Sequence, residues 1–177
     1  FCFALLRRKL NWSNFKQSLT TTTATTGMLF LIILGAMILG YFFSVSRLPF
    51  ELASWVGGLP VNRYFILILI LVVVLVLGCI MDSLAIVLLT VPVFYPMVLE
   101  LGFDPIWFGI LVVRVTEMGL ITPPVGLNVY VIQGITGEPM GTIFKGVAPF
   151  LIADVAEIIL LICIPQITLF LPSLMAG

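Results

Sequence analysis

The stretch YFILILILVVVLVLGCIMDSLAIVLLTVPVFYPM, residues 64–97, decides how this chain folds, because its 34 residues are too long to be one simple spanning helix. A straight helix of that length extends about 51 Å, whereas the hydrocarbon core of a bilayer is about 30 Å thick. The segment must therefore bend, break or turn back. Its one interruption is Gly78-Cys79-Ile80-Met81-Asp82-Ser83, with 14 residues on each side at 64–77 and 84–97. Each half reaches the middle of a membrane but is too short to cross it. Glycine can end the first half and Asp82 can start the second as N-cap.

Residues 105–136, PIWFGILVVRVTEMGLITPPVGLNVYVIQGIT, repeat the problem with 32 residues, about 48 Å if straight. Here the interruption is Gly119-Leu120-Ile121-Thr122-Pro123-Pro124-Val125-Gly126. Asp104-Pro105 is an N-cap with proline at the first helical position, and Thr122-Pro123-Pro124 repeats that start signal in mid-segment. One proline fits a kink; two prolines flanked by glycines predict a break.

The rest of the chain surrounds these two stretches with lipid-compatible sequence. Hydrophobic residues make up 62% and charged residues 9% of the chain, and the mean hydropathy is +1.29. Soluble domains average about 45–50% apolar and about 25% charged residues. The solvent for much of this surface is therefore lipid. Thr20–Phe43 reads as a transmembrane helix, its threonine-rich entry bonding back to helix carbonyls. Arg47–Pro60, with Pro49, Trp55 and Gly57-Gly58, reads as a short helix in the interface. Glu138–Lys145 reads as a polar link with a second interface-like segment. Val147–Leu171 reads as a final spanning helix, kinked or shortened at Pro165. These elements divide the chain into a basic juxtamembrane lead (1–19), a helix plus interfacial helix (20–61), a re-entrant hairpin with a broken helix (62–137) and a closing segment (138–177).

The net charge is zero, which gives nucleic acid no footing. Arg7, Arg8, Lys9 and Lys16 gather at the N-terminus without acidic neighbours, a cytoplasmic signature. If 64–97 turns back and 105–136 crosses, five basic residues lie inside (Arg7, Arg8, Lys9, Lys16, Lys145) and two outside (Arg47, Arg63). If both cross, the balance is four to three, so the charge rule favours the hairpin.

Unwound backbone at membrane depth is tolerated only where protein buries it or water reaches it, so the two breaks are expected to meet. Half-helix N-termini starting near Ser83 and Val125 offer N–H groups to an anion, and carbonyls around Gly78–Met81 and Gly119–Thr122 suit a sodium ion. Asp82, Ser83 and Thr122 add side-chain oxygens. The plainer reading is that Asp82 and Thr122 only cap helices, and the two roles are compatible. Arg114 and Glu117, three apart on one face, read either as a mutually neutralising pair or as an arginine available to a substrate carboxylate. Asn128 either orients a polar ligand or bonds across helices. Asp154 and Glu157, also three apart, are expected to face a partner helix or an inter-domain surface. Trp12, Trp55, Trp107 and the tyrosines read as interfacial anchors.

There is no histidine, and Cys2, Cys79 and Cys163 are too far apart in sequence to suggest a metal motif. No catalytic constellation stands out. A membrane enzyme using Asp82 and an accessory subunit are the competing classes, and paired mid-membrane breaks favour a transporter over both.

Leu101-Gly-Phe-Asp-Pro-Ile-Trp-Phe-Gly-Ile110, Glu117-Met-Gly-Leu-Ile-Thr-Pro-Pro-Val-Gly-Leu-Asn-Val129, Gly78-Cys-Ile-Met-Asp-Ser-Leu-Ala85 and Gly141-Thr-Ile-Phe-Lys-Gly-Val-Ala-Pro-Phe150 resemble the large membrane (permease) subunit of tripartite ATP-independent periplasmic (TRAP) transporters, the DctM-like component. The resemblance covers nearly the whole chain. It implies an all-α integral protein of the bacterial inner membrane that imports organic anions, C4-dicarboxylates or other carboxylates such as sugar acids, by sodium symport. It implies a small membrane subunit and a periplasmic substrate-binding protein as partners. It also implies two inverted repeats, each with a re-entrant hairpin and a broken helix, moving as an elevator. On that frame this chain corresponds to the C-terminal half, with the N-terminal half as a further partner. Sodium is expected at Gly78, Met81, Asp82, Gly119 and Thr122, and substrate at Ser83, Thr122, Pro124, Asn128 and Arg114.

Overall fold

A computed structural model describes residues 11–58 and 60–175. The basic residues Arg7, Arg8 and Lys9, and Cys2, lie outside the described residues. Among the described residues there are eight helices and no strand: α1 (Trp12–Ser46), α2 (Leu48–Gly57), α3 (Arg63–Gly78), α4 (Ser83–Glu100), α5 (Pro105–Ile121), α6 (Leu127–Thr136), α7 (Met140–Cys163) and α8 (Gln166–Met175). The chain forms two units, residues 1–39 and residues 40–177.

The first unit holds most of α1, which buries no residue. α1 is longer than the Thr20–Phe43 span expected, because no proline interrupts it and its entry threonines satisfy themselves along the helix. Thr20 Oγ1 donates to the Lys16 carbonyl at 2.9 Å, and Thr25 Oγ1 to the Thr21 carbonyl at 3.0 Å. α1, α4 and α7 are long and apolar enough to cross a membrane.

In the second unit α3 and α5 form the centre. α3 buries Leu67, Ile70, Leu71 and Val74 against Leu111, Val112 and Val115 of α5. Its outer face, with Phe65, Leu69, Val72 and Val76, is exposed yet equally apolar, as a lipid-facing or protein-facing surface must be. Asn62 caps α3, accepting the Tyr64 N–H at 2.9 Å.

The two ends of the α3–α4 pair lie together. The Arg63 guanidinium sits 5.2 Å from the Phe103 ring centroid, and the Tyr64 and Phe103 rings are 5.3 Å apart, edge to face. The chain therefore leaves through α3, turns at Cys79–Asp82 and comes back through α4 to its starting level. This is a helical hairpin. α4 runs on past Met97 to Glu100, so its 18 residues are long enough to span by length, contrary to the expectation of two short halves. α2 lies against α4 as a short helix with Pro49 and Ala53 buried, in the place read for an interfacial segment.

α5 and α6 are the halves of a broken helix. α7 runs antiparallel to them: Trp107 of α5 meets Leu161, Arg114 meets Asp154 and Glu157, and Gly126 before α6 meets Phe144. One boundary differs from the sequence expectation, and the shortening expected at Pro165 is present. Helix α7 already begins at Met140, so the polar link and interface-like segment at Glu138–Lys145 is largely its first turns, entered from Pro139, whose φ of −60° suits a helix start. At the other end Ile164 leaves helical geometry (φ −128°, ψ 75°) before Pro165, and α8 follows as a separate helix.

Candidate functional site at the hairpin tip and the helix break

Two glycines bring the breaks together. A Cβ on Gly119 would stand 2.7 Å from the Gly78 Cα and 3.1 Å from the Leu75 carbonyl oxygen; one on Gly78 would stand 3.1 Å from the Gly119 Cα and 3.2 Å from the Thr116 oxygen. At Gly119 no real Cβ fits without a backbone shift, and at Gly78 one would fit only if the neighbouring backbone gave way by a few tenths of an ångström. The last turns of α3 and α5 cross here backbone to backbone. Cys79 Sγ then reaches across the tip and donates to the Pro123 carbonyl at 3.7 Å. A cavity of about 170 Å³ opens beside this contact, lined by Leu75, Val76, Cys79, Ile80, Thr122, Pro123 and Pro124.

At the tip, the Leu77 carbonyl accepts the N–H groups of both Ile80 (3.0 Å) and Met81 (2.9 Å), closing α3 tightly. Asp82 is exposed; its Oδ2 accepts the Leu84 N–H at 3.1 Å and its carbonyl the Ile86 N–H at 3.1 Å. The N-cap expected of Asp82 is present, and half-buried Ser83 follows as the first residue of α4.

At the break, the expected helix start at Thr122 is corrected. Thr122 closes α5: its N–H donates to the Gly119 carbonyl at 3.1 Å and its hydroxyl back to the Met118 carbonyl at 2.6 Å. A residue before proline is driven to extended geometry, and Thr122 adopts φ −90°, ψ 137°. The Pro123-Pro124 peptide is cis. The second half restarts only at Leu127, after Gly126 in the left-handed region at φ 60°, a conformation that favours glycine. No side chain caps α6; the Val129 N–H donates to the Gly126 carbonyl at 2.8 Å, and the Leu127 and Asn128 N–H groups receive no side-chain cap.

Of the expected site residues, Gly78, Gly119, Thr122 and Pro124 are thus gathered at the contact between tip and break. Met81, Asp82 and Ser83 stand on the tip itself, outside the lining of the cavity, and Asn128 is exposed on the first turn of α6. Thr116, one turn before Gly119, is 1% exposed, and its hydroxyl has no hydrogen-bond partner. Sequence reading passed over it, since nothing distinguishes it from the chain's other helical threonines.

Arg114 corrects a second expectation. It does not pair with Glu117, which is exposed. Its Nη2 donates to Asp154 Oδ1 at 3.0 Å and to Glu157 Oε2, both on α7. The reason is topological: antiparallel α7 sets two carboxylates, one turn apart, beside the guanidinium, whereas Glu117 points away to the surface. Asp154 and Glu157 face a partner helix, as their spacing suggested. Trp107 is likewise no interfacial anchor, being 2% exposed with Nε1 donating to the Leu161 carbonyl at 2.8 Å.

Comparison with known proteins identifies the family. Residues 1–167 match the family model described as "Tripartite ATP-independent periplasmic transporter, DctM component". The chain is 35% identical over 173 residues to a C4-dicarboxylate TRAP transporter large permease protein of Pseudomonas aeruginosa, covering 98% of this chain and 40% of that protein. It is 32% identical over 177 residues to a sialic acid TRAP transporter large permease protein of Vibrio cholerae, covering 100% and 42%. It is 26% identical over 167 residues to a 2,3-diketo-L-gulonate TRAP transporter large permease protein of Escherichia coli, covering 94% and 39%. The chain spans about 40% of the length of these curated relatives. They are named as permease subunits of transporters, not as enzymes. With its apolar helices, its hairpin and its broken helix, this membrane chain belongs to the DctM component family of TRAP transporters.

Proposed function

We propose that this chain is part of a secondary active transporter that imports organic anions, carboxylates such as C4-dicarboxylates or sugar acids, driven by a sodium gradient. The observation that supports it is the backbone crossing at Gly78 and Gly119, which places the end of a hairpin arm against the end of a broken helix. Two helix C-termini then present their last carbonyls at one level, and such groups suit a hard cation.

The oxygen donor types suit sodium. Gly78, Met81 and Gly119 supply carbonyls, Thr122 a carbonyl and a hydroxyl, Asp82 a carboxylate. The buried Thr116 hydroxyl, one turn before Gly119, is an oxygen that no protein group uses. A bound sodium ion would supply positive charge beside an anionic substrate. The chain's own residues would hold the anion with the Ser83 and Thr122 hydroxyls, the Asn128 amide, the backbone at Pro124 and the uncapped N-terminus of α6. Arg114 is committed to two carboxylates on α7, so we assign it no substrate contact.

In the same reading the α3–α4 hairpin is re-entrant, entering the membrane and leaving on the side it came from. The hairpin and broken helix form half of an inverted-repeat transport domain of elevator type, and the N-terminal half of the permease supplies the rest of each site. A small membrane subunit and a periplasmic binding protein complete the assembly in the bacterial inner membrane, with the basic N-terminal segment cytoplasmic. The names of these relatives, which refer to C4-dicarboxylate, sialic acid and 2,3-diketo-L-gulonate, support carboxylates as the substrate class.

The test is reconstitution of the assembled permease, small subunit and binding protein in liposomes, with uptake of a labelled carboxylate measured with and without a sodium gradient. Gradient-dependent uptake is expected, and none from this chain reconstituted alone. Uptake indifferent to sodium would overturn the sodium reading; robust uptake by this chain alone would overturn the half-site reading.

A further inference from the structure

Three contacts set how α7 lies along the broken helix: the Trp107–Leu161 hydrogen bond, the Arg114 pairing with Asp154 and Glu157, and the seat of the Phe144 ring at Gly126. The Arg114 contact is the one nearest the end of α5, about two turns before the break. It is also the only ion pairing among the described residues. Asp154 and Glu157 are three residues apart on α7, about 4.5 Å along its axis, with one guanidinium nitrogen shared between them. Sliding α5 along α7 in either direction would part Arg114 from one carboxylate. Unpaired charge within a bilayer is costly, and the observed register is the one in which both carboxylates are paired, though Arg114 Nε is buried without a partner.

We propose that Arg114, Asp154 and Glu157 are positioning residues that fix the axial register of α5 against α7, and so hold the carbonyls at the end of α5 at the height of the hairpin tip. This rests on the sodium reading above. From one neighbour the last turn of α5 is set by the Gly78–Gly119 crossing with α3, and from another by the ion triad with α7. Cation affinity at the break then depends on a triad that touches neither ion nor substrate.

The experiment is sodium titration of uptake by the assembled transporter in liposomes. Arg114→Met is expected to raise the half-saturating sodium concentration about tenfold, as supporting residues around ion sites do, while leaving the half-saturating concentration of loaded binding protein unchanged. Arg114→Glu combined with Glu157→Arg is expected to bring the sodium value back toward that of the parent. Because Arg114→Met leaves two carboxylates without their cation, the triple variant Arg114→Met, Asp154→Asn, Glu157→Gln is titrated beside it; it carries no unpaired charge and is expected to fold while keeping the raised sodium requirement. A triple variant with the parent's half-saturating sodium concentration would overturn the proposal, whatever its thermal stability. A parent indifferent to sodium would overturn both the sodium reading and this one, which separates the two failures.

Discussion

Gly78 and Gly119 stand so close that the Cα of one occupies the space where the other's side chain would begin, 2.7 Å from an ideal Cβ on Gly119. The hairpin tip and the helix break meet because neither residue has a side chain.

Gly119→Ala is therefore expected to push α3 and α5 apart, at a cost of about 1–3 kcal/mol, the usual range for overpacking. Gly109, in the same helix, has open space around it, and Gly109→Ala should be neutral or stabilising by up to about 1 kcal/mol through helix propensity. Thermal unfolding of the two variants in detergent checks the pair; equal melting temperatures would show that the crossing is not tight.

Asp82 caps α4, and a second role as an ion ligand separates from capping by substitution. Asp82→Ala removes the acceptor for the Leu84 N–H and should cost about 0.5–2 kcal/mol. Asp82→Asn keeps a good cap but removes the charge. If Asp82 also binds sodium, the asparagine variant will show near-parental stability and a raised sodium requirement for uptake. Parental sodium dependence in that variant would confine Asp82 to capping.

Trp107→Phe should preserve most of the buried ring volume while leaving the Leu161 carbonyl without its indole donor. An unsatisfied buried acceptor costs about 1–3 kcal/mol. The expected result is a lowered melting temperature; an unchanged one would mean that water or another donor replaces the indole.

The hairpin makes a topological prediction. Its ends, at Arg63 and Phe103, share one level. Single cysteines at Asn62 and Gly102, in a background lacking the native cysteines, should react with a membrane-impermeant thiol reagent from the same side of the membrane. Labelling from opposite sides would show that the segment crosses.

Much of the architecture was legible because it depends on local chemistry. Pro123 and Pro124 cannot continue a helix, and Asp82 and Asp104 are caps wherever the chain takes them. The length of residues 64–97 against the thickness of a bilayer required a turn or a break. The errors came where local signals compete. Thr122 could begin a helix or end one, and the extended geometry imposed by Pro123 made it an end. The polar residues 138–145 looked like a link, but after Pro139 they continue into α7 and its apolar run.

By itself the sequence determined that this chain lives in lipid, where its two long segments are interrupted, and which family it resembles. Each of these follows from composition, residue chemistry or chain length. Tertiary structure decided which interrupted ends touch and which charges pair. Arg114 had Glu117 within one helical turn, yet its partners are Asp154 and Glu157, 40 and 43 positions away. Spacing along one helix lists the neighbours a side chain can have. The direction in which α7 returns past α5 selects among them, because in a low-dielectric setting a charge is held by whichever opposite charge the packing brings to it.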